Sequence, residues 1–183
     1  ELATVMFLHW SYCNGSAMRV APVGLMFHND FRGLIQVART SSSVTHSHFL
    51  ALQGAALQAT AVAVALKTPF EFVHFMTMLT STLLWFEDLG QDTSVYKTAL
   101  ARICAGVKNN ISPLKMSSLL GNGIKAQEAV PMAIYCYVTH PLSFERAVES
   151  ALFLGGDTDT IASMTGAISG AALGESQIPD RWV

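Results

Sequence analysis

Apolar residues recur every three to four positions along most of the chain, and strict alternation is nearly absent, so the pattern predicts helices rather than strands. Ala17–Phe27 reads as a short apolar helix. Phe31–Thr40 carries Phe31, Leu34, Ile35 and Ala38 at helical spacing, and the polar run Ser41-Ser42-Ser43 is expected to break it. His48–Lys67, rich in Ala and Leu, predicts a long helix of about five turns. Thr68-Pro69-Phe70-Glu71 has the form of a capping box with proline at the first helical position, opening a helix to about Phe86. Glu87–Asp92 is a polar loop, followed by a helix over Thr93–Val107. Ser112-Pro113 opens a short helix that Gly121 should end by taking a positive φ. Gln127–Val138 follows, with Pro131 expected in its first turn or kinking it. Ser143 caps Phe144–Leu154, Gly155-Gly156 breaks the chain, and Asp157 opens a last helix to about Leu173. Gly166, Gly170 and Gly174 lie four apart on one face, which predicts close helix packing. The tail from Ile178 to Trp182 reads as a docked surface strap.

With no linker, low-complexity segment or internal repeat, residues 1–183 are expected to form a single all-α domain or part of one. Composition sharpens this. The chain is 51% hydrophobic and only 13% charged, so it must bury most of its helical surface or belong to something larger. A net charge of −2 without a basic block argues against nucleic acid as a partner, while leaving room for one anionic ligand held by local donors. Phe49–Leu66 is interrupted by Gln53 and Gln58, and Ala151–Leu173 contains two aspartates, so both read as buried helices rather than membrane spans. The start, Glu1-Leu2-Ala3-Thr4, has neither a basic n-region nor an initiator Met, which suggests a fragment or processed product without a signal peptide. Three cysteines, Cys13, Cys104 and Cys136, without a C-x-x-C pair predict reduced thiols in an intracellular compartment and no zinc. The sequons Asn14-Gly15-Ser16 and Asn110-Ile111-Ser112 are read as chance matches.

The strongest chemical candidate is Gly155-Gly156-Asp157-Thr158-Asp159-Thr160. Two carboxylates and two hydroxyls crowd a loop-to-helix junction, and hard cations such as Mg²⁺ choose such oxygens. On a regular helix Asp157 and Asp159 would point about 200° apart. They converge on one ion only if Asp157 precedes the first turn, the place where Asp is a preferred cap. An EF-hand is excluded, because no third acidic position follows and no Gly stands sixth. The same residues also suit simple capping of a helix and its dipole. Asn14-Gly15-Ser16-Ala17-Met18-Arg19 is a polar turn whose amides suit a phosphate, with Tyr12 available to stack on a base or ribose; it suits an ordinary helix cap equally. His46 suits a phosphate or ribose hydroxyl, or a capping role. Asn122-Gly123-Ile124 either shapes a pocket or only follows a helix end.

Together these segments resemble the ADP-ribosylhydrolase family. Ser11-Tyr12-Cys13-Asn14-Gly15-Ser16-Ala17-Met18-Arg19-Val20-Ala21-Pro22 is similar to that family's Tyr-Gly-Asn-Gly-x-Ala-Met-Arg-Val-Ala run. Thr45-His46 with Gln53-Gly54-Ala55 and Leu57-Gln58-Ala59 resembles the next block. Leu120-Gly121-Asn122-Gly123-Ile124 with Val130-Pro131-x-Ala133-Ile134-Tyr135-Cys136 resembles a third. Gly155–Ile161 with Gly166-Ala167-Ile168 and Ile178-Pro179-x-x-Trp182 resembles the fourth. The blocks keep the family's order, and the ADP-ribosylserine hydrolase and poly(ADP-ribose) glycohydrolase type is the most similar. The resemblance implies a compact all-α fold with two Mg²⁺ ions in a central cleft. It implies Asp157, Asp159 and Thr160 as metal ligands, and Ser11, Tyr12, Gly15, His46, Asn122, Gly123 and Ile124 on ADP-ribose-lining segments. The implied reaction is hydrolysis at the anomeric carbon of ADP-ribose, on serine-linked or poly(ADP-ribose) and O-acetyl-ADP-ribose substrates. Implied partners are ADP-ribose and ADP-ribosylated proteins, with a monomeric state, a link to DNA damage, and residence in nucleus, cytoplasm and mitochondrion. The sequence departs from the family in four ways: the Gly-Asp-Ala-Leu-Gly-like segment, the catalytic glutamate and the Thr-Asp-Asp metal run of its N-terminal half have no counterpart, and Cys13 stands where Gly is usual. The alternative is therefore a truncated or degenerate homologue that only binds ADP-ribose or is inactive.

Overall fold

The computed structural model describes residues 11–67 and 69–182. Among them the chain forms α-helices and short 3₁₀ turns, with one isolated antiparallel bridge and no extended strand. The helices are α1 (Gly15–Met18), α2 (Ala21–Met26), α3 (Phe31–Ser43), α4 (Phe49–Leu66) and α5 (Phe72–Glu87). They continue as α6 (Ser94–Lys108), α7 (Pro113–Leu120), α8 (Ala126–Thr139), α9 (Phe144–Leu152) and α10 (Thr158–Leu173). The expected all-α class is what the chain adopts.

Two helices form the centre. In α4 every residue from Ala51 to Ala63 is buried, and in α8 every residue from Ala129 to Val138. Helix α4 packs on α1, α2, α3, α5, α8 and α10, so no face of it remains for water. That explains why its apolar pattern has no polar side. Its 18 residues are long and apolar enough to cross a membrane, but 83% of the window is buried inside the fold. Small residues let the neighbours approach: a Cβ on Gly24 of α2 would lie 2.5 Å from the Ala59 carbonyl oxygen. The polar groups in this core find partners across helices, as in Gln58 Nε2 to Met164 O at 3.0 Å and Thr60 Oγ1 to Thr82 Oγ1 at 2.9 Å.

Four local expectations are corrected. Ala17–Phe27 is two short helices, α1 and α2, separated at Arg19-Val20, with Pro22 in the first turn of α2. Ser41-Ser42-Ser43 continues α3, because Ser42 is buried and donates to Ala38 O, while Ser43 donates to Thr40 O, inside the helix's own ladder. The capping box fails as well. Helix α5 starts at Phe72 and Glu71 is itself the cap, its carboxylate accepting from Val73 N and His74 N; Thr68 lies outside the described residues. Pro131 sits inside α8, beyond its first turn, so the first of its two expected placements is the one corrected. Other readings hold: His48 caps α4, Ser112 caps α7 with Pro113 behind it, Gly121 ends α7 at φ +85°, and Ser143 caps α9. Gly166 and Gly170 face Val148 and Phe144 of α9 as expected, whereas Gly174, read with them, ends α10 at φ +78° and meets nothing within 4 Å; the tail docks Trp182 edge-on to Phe144.

Candidate functional site

Four segments remote in sequence meet at one edge of the α4–α8 core. The bridge between Cys13 and Lys125 joins the first and third: Asn14 N donates to Ile124 O and Ala126 N donates to Tyr12 O, both at 2.9 Å. The third and fourth are joined through Asn122. Its carbonyl accepts from Asp157 N at 2.8 Å, and its side-chain amide donates to Leu154 O at 2.9 Å and Gly155 O at 3.1 Å. This pairing requires glycine at the turn. Gly155 and Gly156 take φ +70° and +71°, and a Cβ on Gly156 would lie 2.2 Å from Asn122 O. Glu128 steadies the same loop by accepting from Gly123 N at 3.2 Å and pairing with Lys125 at 3.2 Å.

His46 belongs to the second segment and lies over Gly15, where a Cβ would come within 3.0 Å of its ring. Arg19 donates to Thr45 Oγ1 at 2.7 Å, and Thr45 Oγ1 lies 2.7 Å from His46 Nδ1. Arginine only donates, so Thr45 Oγ1 accepts from Arg19; its one proton and second lone pair let it either donate to His46 Nδ1 or accept from it, according to the imidazole tautomer. Burial first, and the Arg19 charge second, hold His46 below its ordinary pKa. The neutral form of the ring is thus favoured, and it is held at the Gly15 turn by its bond to Thr45.

Asp157 precedes the first turn of α10, as convergence on one ion requires, with φ −85° and ψ 58°. Its carboxylate makes no bond to the backbone of its own helix. Instead Oδ2 accepts from Asn14 Nδ2 at 2.5 Å and Oδ1 accepts from Thr160 Oγ1 at 3.1 Å. An ionised carboxylate offers about four lone-pair sites, so about two remain for a cation. Asp157 and Thr160 are half-buried and Asp159 is exposed on the first turn of α10. Among the described residues no three His, Cys, Asp or Glu side chains cluster. The donors are all hard oxygens and suit Mg²⁺ in kind, but they supply only part of an octahedral shell.

The predicted residues thus divide. Gly15, His46, Asn122, Gly123, Asp157 and Thr160 are linked by the contacts above. Tyr12 and Ile124 join through their backbones and keep their side chains 43% and 61% exposed at the rim, with Tyr12 edge-on to His48 at 5.7 Å. Ser11 holds the turn's entry, its Oγ accepting from Cys13 N at 3.5 Å. For Asp159, exposed beside them, no hydrogen bond to the other segments occurs among the described residues. Asn14 is the residue that sequence reasoning missed. It stood in the polar turn as an ordinary helix cap, and nothing local distinguishes it from one.

Comparison with known proteins bears on this site. The ADP-ribosylglycohydrolase family model matches residues 4–183. ADP-ribosylhydrolase ARH3 of Mus musculus is 37% identical over 193 aligned positions, covering 94% of this chain and 52% of that protein. The Homo sapiens protein of the same name is 36% identical, with 94% and 53% covered. An uncharacterized protein of Archaeoglobus fulgidus is 34% identical, with 96% and 56% covered. The chain therefore spans about half the length of these relatives. A solved chain of an ADP-ribosylglycohydrolase-related protein complex superposes with a TM-score of 0.62 at 24% identity, over 93% of this chain and 53% of that one, a likeness of fold.

Proposed function

The chain belongs to the ADP-ribosylglycohydrolase family, and on that premise we propose that the protein is a magnesium-dependent hydrolase of ADP-ribose linkages, in which this chain supplies the ADP-ribose cradle and one side of the metal shell. One observation carries the reading: the phosphate-turn candidate, Asn14–Arg19, and the acidic run, Asp157–Thr160, are tied directly by Asn14 to Asp157 and through Asn122 by backbone. An anion at the first and a cation at the second would lie side by side.

Asp157, Asp159 and Thr160 would hold Mg²⁺, which supplies Lewis-acid polarisation of ribose oxygens and stabilises charge developing at the anomeric carbon. The protein's own groups position the substrate. His46, held at the Gly15 turn, would bond a phosphate or ribose hydroxyl through its ring without adding a charge. Tyr12 and Ile124 offer exposed apolar faces to the base or ribose. Gly155, beside which the space is open, would let the backbone come close to the ligand, while Gly15 and Gly156 make room for His46 and Asn122. The proposed substrates are serine-linked ADP-ribose and poly(ADP-ribose), on the resemblance of the four sequence blocks to the hydrolases of those linkages. The test is release of ADP-ribose from a serine-modified peptide by the full-length protein. Release should require Mg²⁺ and be lost in Asp159→Ala; release that persists in EDTA overturns the reading.

A second reading has its own support. Because Asp157 and Asp159 are joined by no third carboxylate among the described residues, the 183-residue chain by itself would bind ADP-ribose without turning it over. Calorimetry of this chain with ADP-ribose and Mg²⁺, beside a turnover assay, separates the two. Turnover by the chain alone would sink the second.

A further inference from the structure

Asn14 and Asp157 each occupy the position where a side chain ordinarily caps its own helix, and neither does so. The two side chains meet each other across 143 residues of sequence instead, Nδ2 to Oδ2 at 2.5 Å. Asn14 is 5% exposed and Asp157 half-buried, so this is a part-buried, charge-assisted bond rather than a surface contact. It leaves Asp157 with Asn14 on one oxygen, Thr160 on the other, and a carboxylate plane that cannot rotate without breaking one of them. The backbone on both sides is also held: Asn14 N bonds Ile124 O and Asp157 N bonds Asn122 O.

We propose that Asn14 is a positioning residue for the metal carboxylate Asp157: its amide clamps Oδ2 so that the remaining lone pairs face the cation, and it couples that carboxylate to the turn that receives the ADP-ribose diphosphate. The inference deepens the magnesium-dependent reading and rests on it. Partners that orient a ligating carboxylate typically control metal affinity by about 10–100-fold. Asn14 contributes no side-chain cap to α1, so its removal takes away no helix start.

The test has two parts on the full-length protein. First, nuclear magnetic resonance should show one Asn14 side-chain amide proton shifted downfield and slow to exchange, and Asp157→Ala should abolish the signature. Second, calorimetry with Mg²⁺ alone should show affinity falling about 10–100-fold in Asn14→Ala and less in Asn14→Ser, which keeps a donor. In an Asp157→Ala background the Asn14→Ala change should cause no further loss; a merely structural role would cost affinity in both backgrounds. A missing amide signature overturns the clamp. Mg²⁺ affinity within threefold of wild type in Asn14→Ala, or a loss that adds fully to that of Asp157→Ala, overturns the positioning role while the magnesium reading stands. A clear signature in a wild-type protein that binds no Mg²⁺ overturns both.

Discussion

Asp30 and Asp157 are the same residue type at the same structural position, the cap of a helix. Asp30 folds back on its own chain, its Oδ1 accepting from Gly33 N at 3.0 Å. Even Gly33 serves that local purpose, because a Cβ there would lie 2.3 Å from Asp30 Oδ2. Ser112 and Ser143 cap in the same local manner, accepting from Lys115 N and Arg146 N. Asp157 makes no such bond, and neither does Asn14; they engage each other. A forgone cap costs about 1 kcal/mol of helix stability. That cost is offset by tertiary bonds at Asn122 and Asn14, and it leaves a carboxylate with lone pairs facing out of the helix. An acid that could cap and does not is therefore a stronger marker of a binding site than an acid at a helix start.

The contrast can be broken most severely at Asp157 itself. Asp157→Ala should lower Mg²⁺-dependent ADP-ribose release at least ~100-fold, since loss of an orienting partner alone costs about 10–100-fold in such sites. Asp30→Ala should leave release unchanged in the same peptide assay. Next comes the glycine turn. Gly156→Ala combines a positive φ with a collision at Asn122 O and should destabilise the fold by about 1–3 kcal/mol in a denaturant melt. Gly174→Ala, also at positive φ but with nothing within 4 Å, should cost only about 1 kcal/mol. Equal losses would show that the Asn122 contact constrains nothing. Asp30→Ala follows, with about 1 kcal/mol lost from stability alone.

The smallest effect concerns pH. His46 is held below its ordinary value of 6.5, by burial first and Arg19 second. The unfolded chain then binds the proton before the folded one as pH falls, so stability is full above 6.5 and is lost as pH drops below it. His48 and His140 are also lowered by burial and add in the same direction. Melting temperatures from pH 7.5 to 5.5 should fall less steeply in His46→Gln than in wild type. Identical slopes would remove His46 from the account.

Much of the fold was legible because its cues are local. Ser112-Pro113, Gly121 and Ser143 mark helix ends through bonds that span three or four residues, and all three act as read. The misreadings arose where burial overrode local preference, as at Ser42, or where a helix started later than its cues suggested, as at Glu71. Ser42 looks like a helix breaker until it is buried beside Ala38, where its hydroxyl is satisfied inside the helix. Glu71, expected to reach back to a cap, is the cap, because α5 starts at Phe72. Within the site, Gly155-Gly156-Asp157 was legible as a broken helix start with oxygen donors. Asn14 was not, because an asparagine before a helix has an ordinary local explanation.

From the sequence alone came the all-α class, the helix order, the oxygen-rich acidic run and a family resemblance that the comparisons show to be membership. These depend on periodicity, caps and motif spacing, which act over a few residues. Tertiary structure alone decided what the capping-type side chains do. Whether Asp157 serves its own helix or a neighbour depends on a partner 143 positions away, and that partner arrives only when the Cys13–Lys125 bridge and the Asn122 carbonyl bring three segments together.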